Sequence, residues 1–133
     1  MHRGSCLCGR VRYEYDGTLD EISLCHCGQC RKAQGTAFAA VTPIRAADFR
    51  IVAGGESLKS YRATPGKARV FCGECGSPIY SARDDMPEVK RLRIGTLDTP
   101  LADVRERYHI YVAYKAPWYD IEDDWTRYRG PAD

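Results

Sequence analysis

The sequence predicts a small, mainly β domain, held by metal as much as by an apolar core. Three observations predict it. Short alternating or apolar runs recur along the chain with turn residues between them. All seven cysteines fall in tight groups: Cys6 with Cys8, then Cys25, Cys27 and Cys30, then Cys72 with Cys75. No repeat, linker or low-complexity tract interrupts the 133 residues, a length that suits a single domain over 1–133.

The elements follow in order. Arg10-Val11-Arg12-Tyr13-Glu14-Tyr15 alternates and stops at Asp16-Gly17, a turn pair. Glu21 to Cys25 is a second short strand leading into the central cysteines. Ala37 to Val41 is a small-residue apolar run that reads as a buried strand stopped by Pro43. Ala46-Ala47-Asp48-Phe49 fits one helical turn. Phe49 to Val52 reaches the Gly54-Gly55 turn. Residues 57–72 read as a hairpin around Thr64-Pro65-Gly66. Pro78-Ile79-Tyr80-Ser81 continues extended, and Val89 to Ile94 and His109 to Tyr114 read as strands, with a turn or short helix over Asp98 to Asp103 between them. The tail from Trp118 to Asp133 is acidic and aromatic and carries no periodicity. Such strands pair antiparallel.

Composition narrows the function classes. An apolar fraction of 44% is ordinary for a globular domain. No run approaches the roughly 20 apolar residues of a membrane span. Met1-His2-Arg3-Gly4-Ser5-Cys6 shows no apolar signal region, so a cytoplasmic chain with reduced thiols is expected. Counting seven thiolates and two zinc ions turns the formal charge of +2 into −1, so charge gives no reason to expect a nucleic-acid partner.

The cysteine spacings point to metal. C-x-C on a strand places both thiolates on one face, and C-x2-C forms a tight knuckle. Cys6-Leu7-Cys8-Gly9 and Cys72-Gly73-Glu74-Cys75-Gly76 each offer two sulfurs, with Gly9, Gly73 and Gly76 permitting close approach of the backbone. Joined, they make a closed four-thiolate site tying the N-terminus to mid-chain, and metal binding there becomes folding free energy. Cys25, Cys27 and Cys30 then supply three thiolates and leave the fourth position of a tetrahedral zinc open, the plan of a catalytic site. Such a centre favours a soft substrate thiol over water. The competing reading is a second structural site completed by His26 or another side chain. His26 alternates with its cysteine neighbours and is expected packed or solvent-facing. His109 reads as a structural strand histidine. Arg31 and Lys32 read either as solvated surface or as cations that attract the carboxylates of an acidic thiol, and Trp118 and Tyr119 either as core or as the wall of a pocket.

These segments carry a resemblance. Gly4-Ser5-Cys6-Leu7-Cys8-Gly9-Arg10-Val11-Arg12-Tyr13, Cys25-His26-Cys27-Gly28-Gln29-Cys30-Arg31-Lys32, Phe71-Cys72-Gly73-Glu74-Cys75-Gly76-Ser77, His109-Ile110-Tyr111-Val112 and Lys115-Ala116-Pro117-Trp118 resemble the glutathione-dependent formaldehyde-activating (GFA) family, which includes centromere protein V. The motifs span residues 4 to about 121, and all seven cysteines match in order. The resemblance implies a zinc-stabilised β-tent similar to methionine sulfoxide reductase B. It implies a structural Zn²⁺ on Cys6, Cys8, Cys72 and Cys75 and a second Zn²⁺ on Cys25, Cys27 and Cys30. It also implies a carbon–sulfur lyase that reversibly joins formaldehyde to glutathione. Two rivals stand beside it. One is a non-catalytic zinc module binding protein or nucleic acid, which requires a fully protein-coordinated triplet. The other is a redox enzyme, which requires a thiol free of metal.

Overall fold

The computed structural model describes residues 1–101 and 103–132. Strand takes 44% of it against 15% helix, so the fold class is mainly β, as the sequence predicts. The chain divides into two compact units, one of Met1–Leu19 with Thr42–Ala102, the other of Asp20–Val41 with Asp103–Asp133.

In the first unit, strand β1 (His2–Ser5) pairs antiparallel with β2 (Arg12–Tyr15). The alternation of β2 buries Tyr13 and Tyr15 and turns Arg12 and Glu14 outward, as a period of two requires. The first unit and the second share β4 (Ala39–Arg45), whose residues from Thr42 onward belong here. A 3₁₀ turn, Ala46–Asp48, then leads into β5 (Phe49–Ala53), which closes a three-stranded sheet against β2. The expected hairpin is β6 (Leu58–Thr64) with β7 (Lys67–Cys72), and β8 (Pro78–Arg83) and β9 (Val89–Arg93) continue it as an antiparallel meander. Val11, Tyr13, Ile44, Ile79 and Leu92 fill the core, and Cys6 and Cys72 are part of it.

In the second unit, β3 (Glu21–Cys25) lies between the start of β4 and β10 (Glu106–Ile110). The pairing with β4 is antiparallel, but β3 with β10, and β10 with β11 (Thr126–Arg127), are parallel. This corrects the expectation of an all-antiparallel fold. Parallel neighbours need long connections, and residues far apart in sequence supply them here. Cys25, Cys30, Ala39, Val41 and Ile110 form this unit's buried cluster, with Tyr108, Tyr111 and Tyr128 packed against it.

Three local expectations are corrected. Pro43 does not stop its strand. Pairing of β4 with β3 runs only to Val41, so beyond that point the proline nitrogen need not donate on that side. The strand expected over His109 to Tyr114 ends at Ile110. Tyr111 turns into the left-handed region at φ 56°, the one described non-glycine residue to do so, and Val112–Tyr114 forms a 3₁₀ turn. The central cysteines lead not into a bare knuckle but into helix α1 (Gly28–Gln34). The turn expected over Asp98 to Asp103 includes Ala102, which lies outside the described residues; the 3₁₀ turn nearby is earlier, at Ile94–Thr96.

Candidate metal centres

Two turns of the same design build the first cluster. At the N-terminal one, Gly9 N–H donates to the Cys6 carbonyl at 3.0 Å and Cys6 N–H to the Val11 carbonyl at 3.0 Å. At the other, Gly76 N–H donates to the Cys72 carbonyl at 2.8 Å and Cys72 N–H to the Ser77 carbonyl at 2.9 Å. Gly9 and Gly76 hold φ of 80° and 82°, which a side chain would strain. Each turn curls its backbone around a pair of sulfurs. Ser77 joins them: its hydroxyl accepts from Leu7 N–H at 2.9 Å and lies 3.2 Å from Cys75 Sγ.

The four sulfurs of Cys6, Cys8, Cys72 and Cys75 lie within 4.8 Å of one another. Cys6 and Cys8 Sγ are 3.5 Å apart, and Cys8 and Cys72 Sγ 3.9 Å. Four sulfurs tetrahedrally placed about 2.3 Å from one zinc would stand ~3.8 Å apart. A disulfide needs about 2.05 Å, and all seven cysteines are free thiols. The donor set therefore fits zinc and does not fit a disulfide.

Electrostatics inside this cluster are uneven. Ser77, through its hydroxyl and then its backbone N–H, lowers the Cys75 thiol to about 5, so it is a thiolate at neutral pH. Burial alone would raise Cys6, but the Val11 N–H at 3.3 Å and the neighbouring sulfurs outweigh it and lower it. The Arg10 backbone pulls Cys8 down, yet desolvation and the three other thiols push it up to about 11. Four sulfurs this close ionise together only around a cation.

The second cluster sits where β3 ends and α1 begins. Cys25, Cys27 and Cys30 have their sulfurs within 4.8 Å of one another. Cys27 is the N-cap of α1: its Sγ accepts from Cys30 N–H at 3.3 Å, so the spacing of the motif is also the spacing of a helix cap. Gly35, at φ 67°, ends the helix and donates its N–H to the Arg31 carbonyl. The neighbouring Cys27 and Cys30 sulfurs, then burial, push the Cys25 thiol strongly up. Among the described residues no fourth cysteine, histidine or carboxylate joins this group. The three sulfurs thus fit a metal with one position left for an outside ligand.

Around the triplet the predicted residues are placed unevenly. Arg31 is half-buried on α1, its Nε buried without a partner, and Lys32 beside it is exposed. Trp118 is 70% exposed and so lies at the surface, while its neighbour Tyr119 packs on Phe38 with ring centroids 5.6 Å apart. His26 is packed, as expected, with Phe38 and Tyr119 against its ring. Burial above all pushes its imidazole down to about 4, so it is neutral at pH 7. His109 is not a lone structural histidine: its Nδ1 is 2.8 Å from His26 Nε2 and its Nε2 is 3.0 Å from both carboxylate oxygens of Asp123. Burial acts to raise Asp123, but the Trp125 N–H and His109 outweigh it and hold the carboxyl below its usual range. Asp123 was not singled out by sequence reasoning, because an acidic tail without periodicity gives no sign of which carboxylate turns inward. Lys115 donates to the Ala116 and Tyr119 carbonyls and so shapes the loop that carries Tyr119.

A mainly β chain that gathers one four-sulfur and one three-sulfur cluster has the donor sets for two metal centres. It belongs to the glutathione-dependent formaldehyde-activating enzyme family, whose sequence model matches residues 1–114. A Halomonas elongata protein, named provisionally as such an enzyme, is 31% identical over 126 residues, covering 90% of this chain and 80% of its own. An uncharacterized lyase of Schizosaccharomyces pombe is 27% identical over 81 residues, covering 61% of this chain and 57% of its own. A Rhodobacter sphaeroides protein of known crystal structure superposes with a TM-score of 0.64 at 26% identity, covering 74% of this chain and 90% of that one. No described helix is long and apolar enough to cross a membrane.

Proposed function

We propose that this chain is a zinc-dependent carbon–sulfur lyase of the GFA type, reversibly joining an aldehyde such as formaldehyde to a thiol such as glutathione. The observation that carries the reading is the difference between the clusters: four sulfurs in one, three in the other, with no further protein donor gathered among the described residues. Cys6, Cys8, Cys72 and Cys75 would hold a structural Zn²⁺, and Cys25, Cys27 and Cys30 a second. When bound at the triplet, zinc would acidify a substrate thiol and keep it as thiolate near neutral pH.

The chain's own residues do the rest. Cys27 and Cys30 are fixed by a helix cap, so the three sulfurs are presented without rearrangement. Arg31 and Lys32 set two cations directly after Cys30, suited to the carboxylates of glutathione. In the joining direction the thiolate sulfur adds to the aldehyde carbon and the carbonyl oxygen takes a proton. In reverse the carbon–sulfur bond breaks, its electron pair returns to sulfur, and the hydroxyl loses its proton. The reading takes residues 1–133 as one GFA-type domain in a cytoplasmic, thiol-reducing setting. Isothermal titration of the zinc-loaded protein with glutathione, followed by an NMR assay of hydroxymethyl adduct formation, tests it. Absence of both binding and acceleration refutes the glutathione assignment.

A further inference from the structure

The most unusual polar feature outside the cysteines is a hydrogen-bonded file of three side chains in the second unit, Asp123, His109 and His26. Both histidines are 0% exposed. An aromatic shell encloses them: Trp125 lies 5.6 Å from the His109 ring, and Phe38 and Tyr119 lie 5.5 Å and 6.2 Å from that of His26. Apolar side chains would fill such a space without desolvating three polar groups.

The protons follow from the order of the groups. An ionised carboxylate can only accept, so His109 carries its proton on Nε2. A proton on His26 Nδ1 would find no partner, so His26 donates from Nε2 and His109 Nδ1 accepts at 2.8 Å. The other ring nitrogen of His26, Nδ1, is buried with no partner. The file therefore ends on the residue between Cys25 and Cys27. The backbone there is also held, since His26 N–H donates to the Ile110 carbonyl at 3.0 Å.

We propose that Asp123 and His109 are positioning residues for the three-sulfur centre. Through the His26 imidazole they hold the Cys25–Cys27 segment in one geometry and so set how tightly and in what shape it grips a metal. The inference rests on the triplet binding metal, as the proposed function requires, and not on the identity of the substrate. Residues that orient metal-binding groups from behind typically change metal affinity 10- to 100-fold when replaced.

The test uses the full chain loaded with zinc or with cobalt. In the zinc form, ¹⁵N NMR should show His26 and His109 each protonated on Nε2 alone. Asp123→Asn should abolish that single pattern, shift the visible bands of cobalt at the triplet, and lower its metal affinity about 10- to 100-fold. The four-sulfur site should keep its metal. His109→Gln, whose amide can donate to Asp123 and accept from His26, should retain most of the affinity, whereas His109→Leu should lose it. This pair decides the matter if Asp123→Asn does not fold. Wild-type imidazoles in another tautomer, or altered tautomers with an unchanged cobalt spectrum and affinity, overturn the inference. A wild-type triplet that takes no cobalt overturns both this and the proposed function. A metal-loaded triplet that ignores glutathione overturns the substrate assignment alone.

Discussion

Replacing Cys72 by serine removes one of the four sulfurs that join the N-terminus to mid-chain. Cys72 is fully buried in the first unit's core, and its Sγ lies 3.9 Å from that of Cys8, 64 residues away. A cross-link over a loop of that length removes about 4 kcal/mol of chain entropy from the unfolded state by the loop-closure relation. The same relation gives about 2 kcal/mol for the short triplet from Cys25 to Cys30. Domains of this size are stable by about 5–15 kcal/mol in all, so losing the long cross-link removes a large share. Cys72→Ser should therefore lower the unfolding free energy by about 4 kcal/mol or prevent folding outright. Urea unfolding of the zinc-loaded variant against wild type, with zinc counted per chain, measures this. A variant that still holds two zinc ions, or loses less than about 1 kcal/mol, refutes the division into a structural and an open site.

Cys27→Ser should give a folded protein that has lost metal from the triplet alone and has no lyase activity; circular dichroism with metal analysis checks it, and unfolding as complete as that of Cys72→Ser contradicts it. Arg31→Ala with Lys32→Ala should raise the KM for glutathione about 10-fold, or about 1.4 kcal/mol, with kcat nearly unchanged, and should flatten the salt dependence of KM. Acidification should strip the triplet before the four-sulfur site. A thiol must lose its proton to bind metal, so the higher its pKa, the higher the pH at which protons displace the metal. Cys25 is pushed strongly up, further than Cys8, the most raised thiol of the four-sulfur site at about 11. Zinc release into a chromophoric chelator over falling pH should show two steps, the first absent in Cys27→Ser; a single step shared by both sites, or the reverse order, rules the argument out.

Much of the first unit was legible because its signals are local. The alternation of Arg12 to Tyr15, the turn at Thr64-Pro65-Gly66 and the cysteine pairs each declare themselves within a few residues, and each is found. The partition of seven cysteines into four and three was legible by counting. Helix α1 was not, because only Cys30 is buried along it and no apolar stripe exists to be read. Its signals were the basic pair Arg31 and Lys32 in the last turn and Gly35 just beyond. The parallel pairing of β3 with β10 was hidden because the partners are far apart in sequence. The same distance hid the bond between His26 and His109.

The duplicated turn at Cys6 and Cys72 bears on how the chain reaches its folded state. Each half closes through hydrogen bonds among residues at most five apart, so each can form before the other is near. An incoming ion then meets two independent claws rather than four scattered thiols. Capture by one claw makes the second encounter intramolecular, governed by the effective concentration of the other across the intervening chain. The claw at Cys75 is the natural first holder, since Ser77, 3.2 Å away within the same turn, favours the thiolate of that sulfur. Metal would then act during folding as a tether that draws the N-terminal strand onto the rest of its unit, and folding in zinc-depleted medium should slow at that step.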